Sequence, residues 1–260
     1  MSKRIKELLS QPDRTFNAQE LSALAAYFRT VMFDTLHDRG TGHWGGAASS
    51  AELTTALYFN RISIDPANPH WEDRDRIILS KGHASMNLYT ILAHRGFFPV
   101  EELSSFRKLD SRLQGHPCMN KLPGVDMSTG ALGHGLSVGL GMAMAAKLSK
   151  KSWWTYVISG EGCLNEGQSW EAIMSAAKFK PEHFVLMIDY NKVQLDGTVD
   201  EIMPLGPLAE KLKSFGWNVA PKAYNGHDTQ EILDSFVWMD GDDVWPKAVI
   251  YDTIKGDRKS

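Results

Sequence analysis

The feature that most constrains the fold is an alternation of short apolar runs with longer stretches of helical periodicity. Five runs have the length and composition of buried strands: residues 76–79, 154–159, 184–189, 216–219 and 247–253. Helical patterns lie between them, at residues 84–95, 168–179, 205–214 and 228–239. This alternation predicts an α/β fold, with a doubly wound and mostly parallel sheet that helices cover on both faces.

The N-terminal part of the chain is predicted to be helical. Apolar residues recur at helical spacing over residues 16–37, with Asn17 as the N-cap and Glu20 three positions later. A glycine-rich loop follows over residues 40–46, and a second helix is predicted over residues 49–60. The chain therefore has helical material on the N-terminal side of its first strand.

Composition is that of an ordinary globular domain. The chain has 260 residues, of which 43% are hydrophobic and 23% charged, so it can build a full core. Its net charge of −3 provides no broad field for nucleic acid or for anionic lipid. Since no repeat and no long linker is visible, we expect one domain over residues 1–260.

Cysteine content and hydropathy indicate the compartment. Two cysteines, Cys118 and Cys163, cannot form a disulfide framework, and residues 1–16 do not resemble a signal peptide. The most apolar stretch, residues 131–148, contains His134 and four glycines, so it suits a buried helix better than a membrane span. We expect a cytoplasmic protein that binds no membrane and no nucleic acid.

Polar motifs follow three of the predicted strands, at the point where each strand ends. His83 follows the first, Gly160-Glu161-Gly162 the second, and Asn191 the third, 30 positions after the glutamate. The carboxyl ends of parallel strands meet at one edge of a sheet, where ligands bind. The sequence therefore predicts that His83, Glu161 and Asn191 lie close together.

The chemistry of these motifs suits a metal ion and a diphosphate. A carboxylate, an amide oxygen and a nearby carbonyl are ligands for Mg²⁺, which phosphate oxygens and water complete. Gly160 and Gly162 let the backbone approach a diphosphate closely. A helix that opens near Gly167 adds free N–H groups and a positive dipole end. We expect Mg²⁺ here, with Ca²⁺ or Mn²⁺ as alternatives.

The segment SGEGCLNEGQSWEA (159–172), followed by Asn191, resembles the thiamine diphosphate motif of transketolases. Further stretches resemble the same family: TGHWGG (41–46), PHWEDRDRIILSKGH (69–83), QGHP (114–117), STGALGHGLSVGLGMA (128–143) and VIYDTIKG (249–256). Several ordered motifs at matching intervals are far more specific than one glycine pattern.

The resemblance covers most of the chain but only the first domain of a complete transketolase. It implies the N-terminal, diphosphate-binding subunit of a split transketolase, with thiamine diphosphate as cofactor. A C-terminal partner subunit would carry the pyrimidine-binding domain, and an α₂β₂ complex is the expected assembly. The family transfers a two-carbon ketol unit from a ketose to an aldose, which predicts sugar phosphates as substrates.

The resemblance also implies roles for single residues. The metal ligands would be the side chains of Glu161 and Asn191 and the carbonyl of Val193. The cofactor contacts would be His83, Gly130, Leu132, Gly160, Gly162 and Asn191. The catalytic groups would be His43, His83, His116 and Glu166. The histidines suit proton handling at substrate hydroxyls, and the glutamate would lie at the interface between the two chains, between the two cofactors.

Three departures from the family pattern leave other functions open. Glu161 stands where the family usually has aspartate, and Trp44 stands where it has proline. A later active-site histidine has no counterpart in this sequence, so a partner would supply it or the reaction would omit it. The alternatives are a subunit resembling deoxyxylulose-phosphate synthase or a dehydrogenase-complex decarboxylase, and a non-catalytic binding subunit.

The histidines outside these motifs carry no signal of function. We expect them at the surface: His37, His70, His94, His183 and His227.

Overall fold

The computed structural model describes residues 1–195 and 197–256, and a six-stranded parallel sheet forms its centre. The strands are β1 (Arg76–Leu79), β2 (Thr155–Gly160), β3 (Phe184–Tyr190), β4 (Val193–Gln194), β5 (Gly197–Thr198), β6 (Asn218–Val219), β7 (Tyr224–Asn225) and β8 (Lys247–Asp252). The sheet order is β1-β2-β3-β8-β6, and β7 also pairs with β8. All these pairs are parallel, whereas β4 and β5 form a separate antiparallel ribbon.

Helices precede the sheet and connect its strands. The α-helices are α1 (Lys3–Leu9), α2 (Ala18–Arg39), α3 (Trp44–Ser49), α4 (Ala51–Ala56), α5 (Ser85–His94), α6 (His134–Leu148), α7 (Gly167–Phe179), α8 (Val199–Ile202), α9 (Leu208–Ser214) and α10 (Thr229–Asp240). A π-helical turn covers Leu57–Arg61, and 3₁₀ turns cover Gly82–Ala84, Val100–Ser105 and Glu161–Asn165.

Two hydrophobic cores lie on opposite faces of the sheet. Successive residues of a strand point to opposite faces, so Tyr156 and Ile158 pack with α2, α4, α5 and α10, whereas Val157 packs with α6 and α7. Strand β3 is buried along almost its whole length. Helices on both faces of a parallel sheet confirm the predicted doubly wound α/β fold.

The N-terminal helix prediction is confirmed at its start. The Asn17 side chain accepts from the Glu20 amide, and the Glu20 carboxylate accepts from the Asn17 amide, at 3.0 Å each. This reciprocal capping box fixes the first turn of α2. Helix α2 ends at Gly40, whose φ of 63° is one that glycine adopts without strain.

The second predicted helix, residues 49–60, differs from the structure. Helix α3 already begins at Trp44, and its Gly45 and Gly46 lie where a side chain would collide with Lys255 or with His83. Ser50 is not helical and separates α3 from α4. The predicted strand at 216–219 is shorter, since Gly216 has a φ of 90° that an extended strand cannot contain.

Helix α6 is the apolar stretch predicted to be buried. Its inner face lies against β2, where a Cβ on Gly139 would come within 2.4 Å of Val157 Cγ2. Its outer face is open in this chain, with Gly141 exposed and Leu148 79% exposed. No helix of the described residues is long and apolar enough to span a membrane.

Three of the five histidines expected at the surface are instead half-buried. The His94 ring lies 4.9 Å from that of Phe28, and the His183 ring stacks 4.8 Å from that of Trp154. His227 contacts Glu52, a fully buried carboxylate. The expectation was wrong for these three because aromatic and ionic partners come from distant parts of the chain.

Candidate functional site

The site is built on the carboxyl ends of β1, β2 and β3, which are neighbours in the sheet. His83, Glu161 and Asn191 follow these strands in that order, as predicted. Gly160 pairs with Asp189 in register, so the residues that follow are adjacent. The Asn191 amide donates to Glu161 Oε2 at 3.2 Å, which confirms that two residues separated by 30 positions meet here.

Glu161 is a buried carboxylate with one unused oxygen. The residue is 2% exposed, and its Oε1 has no hydrogen-bond partner among residues 1–195 and 197–256. Burial, followed by the neighbouring Asp189 carboxylate, raises the pKa of Glu161 to about 7. A buried oxygen without a partner is costly unless a ligand occupies it, so this atom fits a metal ion.

Asn191 and Val193 supply further oxygens beside Glu161. Asn191 Nδ2 donates to Asp189 at 3.3 Å, which orients its Oδ1 toward the Val193 amide, also at 3.3 Å. The Val193 carbonyl accepts from Lys255 Nζ at 3.2 Å and keeps a second lone pair. A carboxylate, an amide and a carbonyl form an oxygen set that fits Mg²⁺.

Other kinds of metal site are not found in the described chain. Among the described residues, no three or more His, Cys, Asp or Glu side chains form a group that could hold a metal ion. The oxygen set at Glu161 has only one carboxylate of its own. Such a set leaves ligand positions for phosphate oxygens and water, as Mg²⁺ bound to a diphosphate requires.

A buried ion pair lies next to Asn191, and it was not predicted from the sequence. Lys81 Nζ contacts Asp189, which also accepts from Ser49 Oγ at 2.6 Å. Burial alone would raise the pKa of Asp189, but the Lys81 ammonium holds it below its usual value. The signal was present, since buried charges on strand ends require partners of opposite charge.

Three histidine rings lie close together, and one of them, His83, directly follows β1. The His43 ring centroid lies 5.7 Å from that of His83 and 6.1 Å from that of His116. Burial, with the Lys81 ammonium next in size, lowers the pKa of His83 to about 3. His83 is therefore neutral at physiological pH, and it can donate or accept a hydrogen bond without carrying charge.

The glycine-rich loop before α6 closes around these histidines. Gly130 has a φ of 148°, and a Cβ there would lie 3.2 Å from His116 Cγ. A Cβ on Gly82 would lie 2.8 Å from the Gly130 amide. Leu132 remains partly open to solvent, so backbone and side chain of this loop are accessible to a ligand.

The other predicted residues occupy the same edge. Gly162 is half-buried, and a Cβ there would meet only the Gln194 side chain, at 3.7 Å. Glu166 immediately precedes α7 and is exposed, with its side chain close to Gly133. The exposed carboxylate is therefore on the surface rather than among the buried groups.

Lys255 is a further site residue that sequence reasoning missed. Besides the contact with the Val193 carbonyl, its chain lies against Gly45, where a Cβ would come within 2.9 Å of Lys255 Cε. The Gly256 amide donates to the Gly45 carbonyl at 3.1 Å. The residues after β8 therefore join the oxygen set to the loop that carries His43.

Comparison with known proteins gives matches over almost the whole chain. The family model for the transketolase thiamine diphosphate binding domain matches residues 21–257. The 6-deoxy-6-sulfo-D-fructose transketolase subunit SqwG of Clostridium sp. (strain MSTE9) is 40% identical, over 91% of this chain and 86% of the relative. An apulose-4-phosphate transketolase subunit from Phocaeicola vulgatus is 38% identical, over 88% of this chain and 80% of the relative.

Solved structures of longer transketolases have the same fold. The crystal structure of transketolase from Campylobacter jejuni matches with a TM-score of 0.87 and 31% identity. The match covers 93% of this chain but only 39% of that chain. This chain therefore corresponds to about two fifths of that longer transketolase.

Proposed function

Because this chain belongs to the transketolase family, as its thiamine diphosphate binding domain, we propose that it is the diphosphate-binding subunit of a two-chain transketolase. The chain, residues 1–260, would form this one domain. The relatives of similar length are subunits by name, which supports a division of the enzyme between two chains. The observation that carries the proposal is the buried Glu161 with its unused oxygen beside Asn191.

Glu161, Asn191 and the Val193 carbonyl would hold Mg²⁺. Thiamine diphosphate supplies the capacity to break and form the carbon–carbon bond beside a ketone. The backbone at Gly160 and Gly162 would approach a phosphate group closely, because neither residue carries a side chain and the nearest side-chain atoms, of Lys81 and Gln194, lie 3.7 Å or more from where a Cβ would stand.

His83 would donate a hydrogen bond to the anionic cofactor as a neutral group. Its low pKa means that it contributes no charge of its own near neutrality. Gly130 and Leu132 would contact the cofactor from the loop before α6, since both residues are exposed and Gly130 lies next to His116.

His43 and His116 would hold and move protons at substrate hydroxyls. Burial lowers the pKa of His43, which favours a neutral base over a charged acid at physiological pH. Both residues are exposed, and the His43 ring lies 5.7 Å from that of His83 and 6.1 Å from that of His116, so a substrate can reach them. Trp44 follows His43 directly and packs 5.5 Å from Phe33, so it would restrict the shape of the sugar that enters.

A partner chain that carries a pyrimidine-binding domain would complete the site. The family match over residues 21–257 is to the diphosphate-binding domain, and the outer face of α6 is apolar and open. We assign this face and the exposed Glu166 to the interface of an α₂β₂ complex. The substrates would be anionic sugars such as sugar phosphates, the class to which apulose-4-phosphate belongs.

The test is reconstitution with a chain that carries a pyrimidine-binding domain. The assembled complex should transfer a two-carbon ketol unit between phosphosugars when Mg²⁺ and thiamine diphosphate are present. This chain alone should bind thiamine diphosphate weakly and transfer no ketol unit. Robust turnover by the homogeneous single chain would contradict the two-chain proposal.

A further inference from the structure

A buried ionic cluster joins α2 and α4 to the loop before α10. Glu52 is completely buried in α4, and both terminal nitrogens of the Arg29 guanidinium donate to its carboxylate. Arg29 also donates to the Ala48 carbonyl at 3.1 Å. His227 Nδ1 lies 3.3 Å from Glu52 Oε2, so this loop histidine is attached to the cluster.

The hydrogen bonds determine the tautomer of His227. The Ile254 amide donates to His227 Nε2 at 2.9 Å, so Nε2 carries a lone pair and the proton resides on Nδ1. That proton points to Glu52. Burial alone would raise the pKa of Glu52, but hydrogen bonds from His227 and Arg29 lower it, so the carboxylate is ionised. His227 therefore connects a buried anion to a backbone amide.

The backbone amide that donates a hydrogen bond to His227 is that of Ile254. It lies in the segment 253–256, which follows β8. Its next residue, Lys255, donates to the Val193 carbonyl at 3.2 Å. The Gly256 amide donates to the Gly45 carbonyl at 3.1 Å. Displacement of Ile254 would therefore move contacts to a proposed metal-ligand carbonyl and to the loop that carries His43.

We propose that His227 is a positioning residue for the cofactor site. It fixes the 253–256 segment through its Nε2 lone pair, and the Glu52 carboxylate, which Arg29 holds in place, accepts from Nδ1 and fixes the ring in the required tautomer. This inference rests on the proposed function, because the contacts that it positions matter only if Val193 and Lys255 border a bound metal and diphosphate.

Hydrogen exchange at the 253–256 segment tests the anchor without any cofactor. His227→Ala should lower the protection factor of the Ile254 amide about fivefold relative to wild type, the loss of one hydrogen bond. His227→Gln keeps a side-chain acceptor, so its protection should exceed that of His227→Ala. Wild-type protection in His227→Ala would overturn the anchor.

His94→Gln is the matched control. His94 is also half-buried and bonded, at 2.8 Å to the Thr90 carbonyl, but it lies in α5 among aromatic rings. This variant should leave the protection of Ile254 unchanged. A similar loss in His94→Gln would mean that any lost histidine loosens the segment, and it would overturn the inference.

Steady-state kinetics of the assembled complex connects the anchor to the site. His227→Ala should raise the KM for thiamine diphosphate about fivefold and leave kcat at saturation within about twofold, whereas His227→Gln should restore most of the KM. An unchanged KM despite faster exchange would overturn the positioning role while the proposed function stands. A wild-type complex that binds no thiamine diphosphate would overturn both.

Discussion

Buried carboxylates lie at the amino ends and at the carboxyl ends of the strands of the central sheet. They differ in how many of their oxygens accept hydrogen bonds. At the amino ends of the strands, Asp75 accepts from the Ser63 and Trp154 amides, at 2.7 Å each. Asp126 accepts from the Ile77 amide and from Arg74. At the carboxyl ends, Glu161 has an oxygen with no partner in the described chain.

This difference distinguishes carboxylates that stabilise the fold from a carboxylate that is available to bind a metal ion. The oxygens of Asp75 and Asp126 hold backbone amides, so these two residues join loops to the sheet. Glu161 is equally inaccessible, but one of its oxygens remains available. Burial with an unused oxygen is costly for folding, and such a cost is typical of functional positions.

The largest expected effect is that of Glu161→Ala on cofactor binding. The change removes the one carboxylate of the oxygen set, so the affinity of the assembled complex for Mg²⁺ with thiamine diphosphate should fall at least about a thousandfold. Calorimetric titration measures this affinity. The melting temperature of the chain should remain close to wild type. Wild-type affinity in this variant would show that Glu161 is no ligand.

At the amino ends of the strands, Asp126→Ala should have the opposite effect, with a loss of stability and little change in cofactor affinity. It leaves Arg74 and the Ile77 amide without a buried acceptor, so the free energy of unfolding should drop by about 2–3 kcal/mol. Cofactor affinity of the folded fraction should change less than about twofold. Urea denaturation and calorimetry measure the two quantities. A selective loss of cofactor affinity at Asp126 would break the distinction between the edges.

The sequence predicts the carboxyl edge better than the amino edge. Glu161 and Asn191 follow apolar runs directly, so the rule for parallel strands places them together without knowledge of contacts. Asp126 reaches β1 from 49 positions away. No local pattern indicates this contact, because its partner is a backbone amide that every residue except proline carries.

The same reasoning explains which site residues were missed. His43, His83 and His116 stand in recognisable motifs, whereas Lys255 and His227 act through backbone groups of Val193 and Ile254. Helix boundaries fail for a related reason. Helix α3 includes Gly45 and Gly46, which pack closely against Lys255 and His83, and helix propensity does not record such packing.

The pH dependence of stability sharpens the comparison. The pKa of Glu161 is raised from 4.5 to about 7 in the folded chain, so folding favours its protonated form. The stability that this group contributes is present below about pH 4.5 and is lost as pH rises through about 7. Glu161→Gln mimics the protonated form, so it should stabilise the cofactor-free chain by about 3 kcal/mol at pH 8.

The control for this prediction is the same comparison of Glu161→Gln with wild type at a lower pH. At pH 4.5 the wild-type side chain is already protonated in the folded state, so Glu161→Gln should have nearly the wild-type free energy of unfolding. Urea denaturation at the two pH values provides the measurement. A stabilisation of equal size at both values would mean that the raised pKa is not its cause.

The smallest expected effect is that of Glu161→Asp, which tests how closely the oxygen must be placed. The family usually has aspartate at this position, yet the contacts of Glu161 here include the Asn191 amide at 3.2 Å, which the longer side chain reaches. An aspartate keeps the charge but retracts it by one methylene. We expect cofactor affinity about five- to tenfold below wild type, and far above that of Glu161→Ala, a loss of about 1 kcal/mol. Calorimetric titration of the three proteins side by side measures this order. If Glu161→Asp binds the cofactor as weakly as Glu161→Ala, the exact position of the carboxylate decides binding. If it binds as tightly as wild type, the metal site adapts to either side-chain length.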